Sequence, residues 1–189
     1  MAALLVLAGS TRQGAFSKQF ARAVCRLAEG LGHRVVAVDL RDFAMPLYDG
    51  DLEAAQGLPE GALRLRSLVL AADGIVVVTP EYNASLPAVL KNALDWTSRP
   101  YAAEPGVSAW KGKVAALLAS SPGALGGLRA LVHLRQVLMN LGALVLTEQF
   151  ALGHADRAFA PDGGFTEPKQ AAAVQAIVER LALVAARLR

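Results

Sequence analysis

Ala2-Ala3-Leu4-Leu5-Val6-Leu7-Ala8-Gly9-Ser10-Thr11-Arg12-Gln13-Gly14-Ala15-Phe16-Ser17 decides how the rest of the chain is read. Residues 2–8 are all apolar, with no in-out alternation. A run of that kind predicts a strand covered on both faces, as in a parallel sheet, and not a leader peptide. A loop rich in glycine and hydroxyls follows. Phe20, Val24, Leu27 and Leu31 then recur at helical spacing. Strand, loop and helix in that order form the first half of a β-α-β unit.

The same alternation continues outward. Arg34–Asp39, Gly74–Thr79, Val114–Ser120 and Leu144–Thr147 read as further strands. Leu63 to Ala72 reads as a second, shorter helix. Leu86, Val89, Leu90, Ala93 and Leu94 mark a third helix. Leu131, Leu134, Leu138 and Leu141 mark a fourth, with Gly142 as its C-cap. Val174, Ile177, Val178, Leu181, Ala185 and Leu188 mark the last, with Thr166 as its N-cap. Five such units predict a doubly wound α/β three-layer sandwich over residues 1–189, one domain. Right-handed crossovers put the loops after strands one, three and four at one edge. Segments 40–61 and 99–112 read as the longest loops.

Composition narrows the function classes. Hydrophobic residues make up 54% and charged residues 19%, the balance of a folded interior and not of a disordered chain. No apolar run reaches the roughly 18 residues of a membrane span. The net charge is +3, and the basic residues are scattered without interleaved aromatics, so nucleic-acid binding is not expected. The single cysteine, Cys25, sits in a helical pattern, where a small packed side chain is the expected role. It allows no internal disulfide, which suits a reducing, cytoplasmic location. His33, His133 and His154 have no metal-ligand spacing, and no Ser-His-Asp or Cys-His arrangement is legible.

Three loops carry the chemistry. The first, Gly9–Ser17, combines a helix start, hydroxyls and Arg12, the makings of a phosphate cradle. It is not a Walker loop, because Ala15-Phe16 stands where Lys-Ser/Thr is required. It lacks the G-x-G-x-x-G dinucleotide fingerprint, and residues 8–17 hold no carboxylate for a response-regulator-like acidic pocket. An ordinary solvated N-cap loop is the plain alternative.

The second loop heads the string Pro80-Glu81-Tyr82-Asn83-Ala84-Ser85-Leu86-Pro87-Ala88-Val89-Leu90-Lys91-Asn92-Ala93-Leu94-Asp95-Trp96. Tyr82 offers a flat apolar face and Asn83 both a donor and an acceptor. A flavin ring, apolar in body and polar at its pyrimidine edge, needs both. Ser85 is placed to cap the following helix, and Lys91 and Asp95 to form an exposed i,i+4 pair. Trp96 reads as a packing or subunit-contact residue. The third loop, Ser120-Ser121-Pro122-Gly123-Ala124-Leu125-Gly126-Gly127, allows close backbone approach to a ligand.

Taken together, Gly9-Ser10-x-Arg12, the Pro80–Trp96 string and Ser120–Gly127 resemble the NADPH-dependent FMN reductase family, which includes quinone, chromate and azo-dye reductases. The resemblance implies a flavodoxin-like five-stranded parallel sheet in the order 2-1-3-4-5. It also implies non-covalent FMN, NADPH or NADH as reductant, and a homodimer or homotetramer. By the same resemblance, Ser10, Arg12 and Ser17 hold the FMN phosphate. Pro80, Glu81, Tyr82 and Asn83 line the isoalloxazine, and Ser120 and Gly123 lie beside its pyrimidine end. No side chain is assigned as a general acid or base. Ala15 stands where many members have Ser, and Ala84 and Ala88 where Gly is common.

The activity implied is transfer of electrons from reduced nicotinamide to a small acceptor: a quinone, an azo compound, a metal ion or free flavin. Two other classes share the expected fold. One is a flavodoxin-like electron carrier, typically acidic and usually without an arginine in its phosphate loop. The other is a flavin-free domain acting through protein contacts.

Overall fold

The computed structural model describes residues 1–188. Five parallel strands, β1 (Ala3–Ala8), β2 (Arg34–Asp39), β3 (Gly74–Thr79), β4 (Val114–Ser120) and β5 (Leu144–Leu152), form one sheet in the order β2-β1-β3-β4-β5. The helices are α1 (Phe16–Gly30), α2 (Gly50–Gln56), α3 (Glu60–Ala71), α4 (Ala88–Thr97), α5 (Leu128–Asn140) and α6 (Pro168–Arg187).

The unbroken apolar runs are explained by two cores. Leu4, Val6, Ala8, Val76, Val78, Ala116 and Leu118 face α1 and α6, meeting Phe20, Val24, Val174, Val178 and Leu181. The alternate residues Leu5, Leu7, Ile75, Val77, Leu117 and Ala119 face α3, α4 and α5, meeting Leu65, Val69, Leu90, Leu94, Leu131 and Leu134. A strand buried on both faces has no side left for polar alternation.

Several expectations need correction. Segment 40–61 is not a loop: it contains a 3-10 turn at Leu40–Asp42, the whole of α2 and the start of α3. Helix α2 buries no residue, so it left no apolar period to read. Its start is set locally by Asp49, whose carboxylate accepts the Asp51 N–H at 2.8 Å. Strand β5 continues past Thr147 to Leu152, and its register against β4 shifts between Ala115 and Leu117. Polar Thr147-Glu148-Gln149 hid the continuation, and an edge strand tolerates those residues.

Thr166 does not cap α6. Glu167 is the N-cap, Pro168 enters the first turn, and the Thr166 hydroxyl donates to the Arg157 carbonyl at 3.1 Å. Trp96 is fully buried, edge-on to Tyr48 at 5.0 Å, and its indole N–H donates to the Pro46 carbonyl at 2.8 Å. It packs the interior and offers nothing to a second subunit.

Other readings hold. Gly142 follows α5 with φ +80°, and Lys91 pairs with Asp95 at 2.6 Å. Cys25 is packed in the α1 core, its thiol pushed up to about 11 by burial and by the charge of Glu29.

Candidate functional site: three loops at the carboxyl edge

The loops after β1, β3 and β4 emerge at the carboxyl ends of their strands. Between β1 and β3 the strand order reverses, and there doubly wound sheets open a crevice. In the first loop, the Gly9 N–H donates to the Val78 carbonyl at 2.8 Å, tying the loop to β3. Ser10 is buried and its hydroxyl accepts the Arg12 N–H at 3.2 Å. Arg41, from the turn after β2, braces the loop by donating Nε and Nη2 to the Thr11 carbonyl at 3.1 and 2.7 Å.

Helix α1 then begins after Ala15, with no side-chain cap and no acidic residue in its first turn. Ala15 is the N-cap position itself, so a serine there would have capped the helix. The exposed positive end of the helix dipole favours an anion. Ser17 lies in that first turn, fully buried, and its hydroxyl has no hydrogen-bond partner. Arg12 is exposed, with its guanidinium over the Phe16 ring at 5.7 Å and, among the described residues, no carboxylate partner. Lys18 differs: it is buried and paired with Asp39 at 2.6 Å. Burial opposes the Asp39 charge, but the Lys18 hydrogen bond and the Arg41 N–H outweigh it and hold that carboxyl below its ordinary value.

The second loop is a tight hairpin turn. Tyr82 and Ser85 exchange two backbone hydrogen bonds of 3.0 Å, and the residues between them, Asn83 and Ala84, have φ +49° and +63°. Two positive φ values are the signature of a type I′ turn. Asn accepts that conformation readily, whereas Ala bears a cost of roughly 1–2 kcal/mol there. The common glycine at position 84 thus has a backbone reason. Ala88 has none, because it is an ordinary first residue of α4.

The turn presents Tyr82, 51% exposed, and Asn83 to solvent beyond the carboxyl end of β3. Glu81 faces elsewhere. Its carboxylate accepts the Arg129 and Ala130 N–H groups at 3.0 and 3.2 Å and pairs with the Arg129 guanidinium, so it caps α5. Burial raises the cost of that charge, yet the Arg129 and Ala130 hydrogen bonds hold the carboxyl below its ordinary value. Ser85 does not cap α4, which starts after Pro87 without a side-chain cap. Its hydroxyl meets His133 Nδ1 at 2.9 Å.

In the third loop, Ser120 is buried and its hydroxyl also lacks a partner. Gly126 and Gly127 are the glycines the backbone requires. Both have positive φ, and a Cβ on them would lie 2.6 Å from the Ala151 carbonyl carbon and 2.8 Å from the Ala119 Cβ. A Cβ on Gly123 would make only an ordinary contact with Ser121 Oγ at 3.6 Å, and the Gly123 carbonyl accepts the Gly126 N–H at 3.2 Å.

Sequence reasoning missed Arg41, Arg129 and His133. Arg41 lies 30 residues from Thr11, Arg129 48 from Glu81, and His133 48 from Ser85, and no local pattern marks such contacts. Among the described residues, no cluster of His, Cys, Asp or Glu is placed to hold a metal, and no helix is long and apolar enough to cross a membrane.

An uncapped helix start beside a free arginine fits the phosphate of FMN, and the first turn of that helix also carries the orphaned Ser17 hydroxyl. An exposed Tyr and Asn on the loop after β3, and the orphaned Ser120 hydroxyl at the end of the neighbouring strand β4, fit a flat ring with a polar edge. The NADPH-dependent FMN reductase family matches residues 2–157, a span that holds all three loops. The chain belongs to that family.

NADPH-dependent FMN reductases of this kind are FMN- and NAD(P)H-dependent oxidoreductases of flavodoxin-like fold. A quinone reductase of Pseudomonas putida is 38% identical over 180 residues, covering 94% of this chain and 91% of its own. A 2-hydroxy-1,4-benzoquinone reductase of a Burkholderia species is 40% identical over 146 residues, covering 77% of this chain and 74% of its own. Among solved structures, the flavoenzyme NAD(P)H:(acceptor) oxidoreductase FerB of Paracoccus denitrificans superposes with a TM-score of 0.84. It is 32% identical and covers 99% of this chain and 98% of its own.

Proposed function

We propose that this reductase passes electrons from NADPH or NADH to a quinone or another small acceptor by a ping-pong route, in the cytoplasm. The observation that carries the reading is the pairing of an uncapped α1 start and a free arginine on the loop after β1 with the exposed Tyr82–Asn83 turn after the adjacent strand β3. Bound FMN supplies the hydride chemistry that the protein's side chains lack. Ser10, Arg12, Ser17 and the start of α1 hold the phosphate, while Pro80, Tyr82 and Asn83 flank one side of the ring. Glu81 contributes its backbone there, because its carboxylate is bonded to α5. Ser120 and Gly123 stand at the pyrimidine end.

Association costs about 4–15 kcal/mol in lost freedom, so the phosphate contacts need the ring contacts beside them. With the loops covering one face, reductant and acceptor share the other and must alternate. The names of the Pseudomonas and Burkholderia relatives support a quinone as acceptor; azo compounds, metal ions and free flavin are the other classes to assay. Steady-state rates at several fixed quinone concentrations test the order of events. Parallel double-reciprocal lines are expected, and intersecting lines would mean that both substrates bind at once.

We also propose self-association as a homodimer or homotetramer. Trp96 no longer supports it, but Leu128, Val132 and Met139 form an exposed apolar stripe along α5, with exposed Leu125 in the loop before it. Sedimentation of wild type and Val132→Lys tests it, with a smaller species expected for the variant.

A further inference from the structure

We propose that the N-terminal half of α5 clamps the Tyr82–Ser85 turn at both ends, and that His133 is a positioning residue acting through Ser85. The inference rests on the reading of this turn as a flank of the flavin ring. The turn needs holding, since Asn83 and Ala84 both sit at positive φ and only two backbone bonds close it. Both points of attachment lie on one helix. Ahead of the turn, Glu81 is bound by the backbone and side chain of Arg129 and by the backbone of Ala130. Behind it, Ser85 Oγ meets His133 Nδ1 at 2.9 Å. Arg129 and His133 are four residues apart, so both face the same side of α5.

The helix is itself anchored to the third loop. Gly127 precedes its first residue, packed so closely that a Cβ there would sit 2.8 Å from the Ala119 side chain and 3.7 Å from that of Glu81. The second and third loops are therefore joined through α5. The two attachments differ in kind. The Glu81 attachment is multiply bonded with a buried carboxylate, whereas the His133–Ser85 contact is one exposed bond. The latter is the adjustable end. A serine hydroxyl both donates and accepts, so it complements Nδ1 in either tautomer. Removing either partner frees the Ser85 end of the turn and leaves the phosphate loop untouched.

The test uses His133→Ala, Ser85→Ala and the double variant of the full chain, first without flavin. Exchange of the Ser85 backbone N–H, which bonds across the turn, should speed up by about two- to tenfold in each single variant, the equivalent of one neutral hydrogen bond. The double variant should exchange no faster than either single one. With FMN added, the midpoint potential and visible circular dichroism of the bound flavin should shift alike in all three, while FMN affinity stays within about twofold, below the loss of one hydrogen bond. Additive effects or unchanged exchange would overturn the clamp. Faster exchange with unmoved flavin signals would overturn the positioning role. Failure of the wild-type chain to bind FMN would count against the proposed function alone, because the exchange arm needs no flavin.

Discussion

Ser17→Ala separates a binding hydroxyl from a structural one. The Ser17 side chain is fully buried, one residue into α1, and its Oγ has no partner. A buried unsatisfied polar group costs about 1–3 kcal/mol. Replacing it with Ala in the flavin-free protein should therefore leave stability unchanged or raise it. For a chain of this length each kcal/mol moves the thermal midpoint by roughly 2–4 °C, so a rise of up to several degrees is expected. The effect on FMN should have the opposite sign. A hydrogen bond to a charged phosphate is worth about 1.5–3 kcal/mol. At about 1.4 kcal/mol per decade that is a roughly 10- to 150-fold weaker Kd. Riboflavin, without the phosphate, should bind both proteins equally. Differential scanning fluorimetry of flavin-free protein and fluorescence titration with both flavins give the three quantities. A destabilised flavin-free variant whose FMN affinity is unchanged would show that the hydroxyl serves the fold, and the phosphate assignment would fall.

Other substitutions probe the remaining parts. Arg12→Ala should weaken FMN by at least about tenfold and riboflavin hardly at all, since charge-assisted bonds of about 1.5–3 kcal/mol are lost only with the phosphate; equal loss for both ligands in equilibrium titration would refute it. Ala84→Gly should raise stability by about 1 kcal/mol, because glycine adopts φ +63° without a Cβ penalty, and chemical denaturation will show whether the midpoint rises. Glu81 is held below its ordinary carboxyl value, so its contribution is complete above that value and disappears as pH falls through the lower, folded one. Urea midpoints measured from neutral pH down to about pH 2 should therefore fall more steeply in wild type than in Glu81→Gln, whose side chain does not titrate. Tyr82→Ala should change turnover and the bound-flavin spectrum more than FMN affinity; a loss confined to affinity would place Tyr82 away from the ring.

Much of this protein is determined by its sequence alone. Apolar runs such as Leu4–Ala8 and Ile75–Val78 are unbroken because both faces of each strand are covered, and that pattern specifies a parallel sheet. Crossover handedness then puts the three loops at one edge, so the crevice follows from chain order. The hydroxyls, Arg12 and the Pro80–Asn83 string were legible because each is local. The tertiary structure alone decided which loop side chains are bonded elsewhere and which are left free. Glu81 turns to α5 because Arg129, 48 residues on, supplies a charge and two backbone N–H groups lie beside it. Ser17 and Ser120 were candidates from the sequence, but that their hydroxyls are buried without a partner is known only from the packing around them. The exposed turn of α2 and the far end of β5 were equally out of reach, and the sequence left Trp96 open between packing and subunit contact until its burial decided for packing. Each depends on contacts between segments distant along the chain or on capping too local to leave a period, and hydrophobic periodicity records neither.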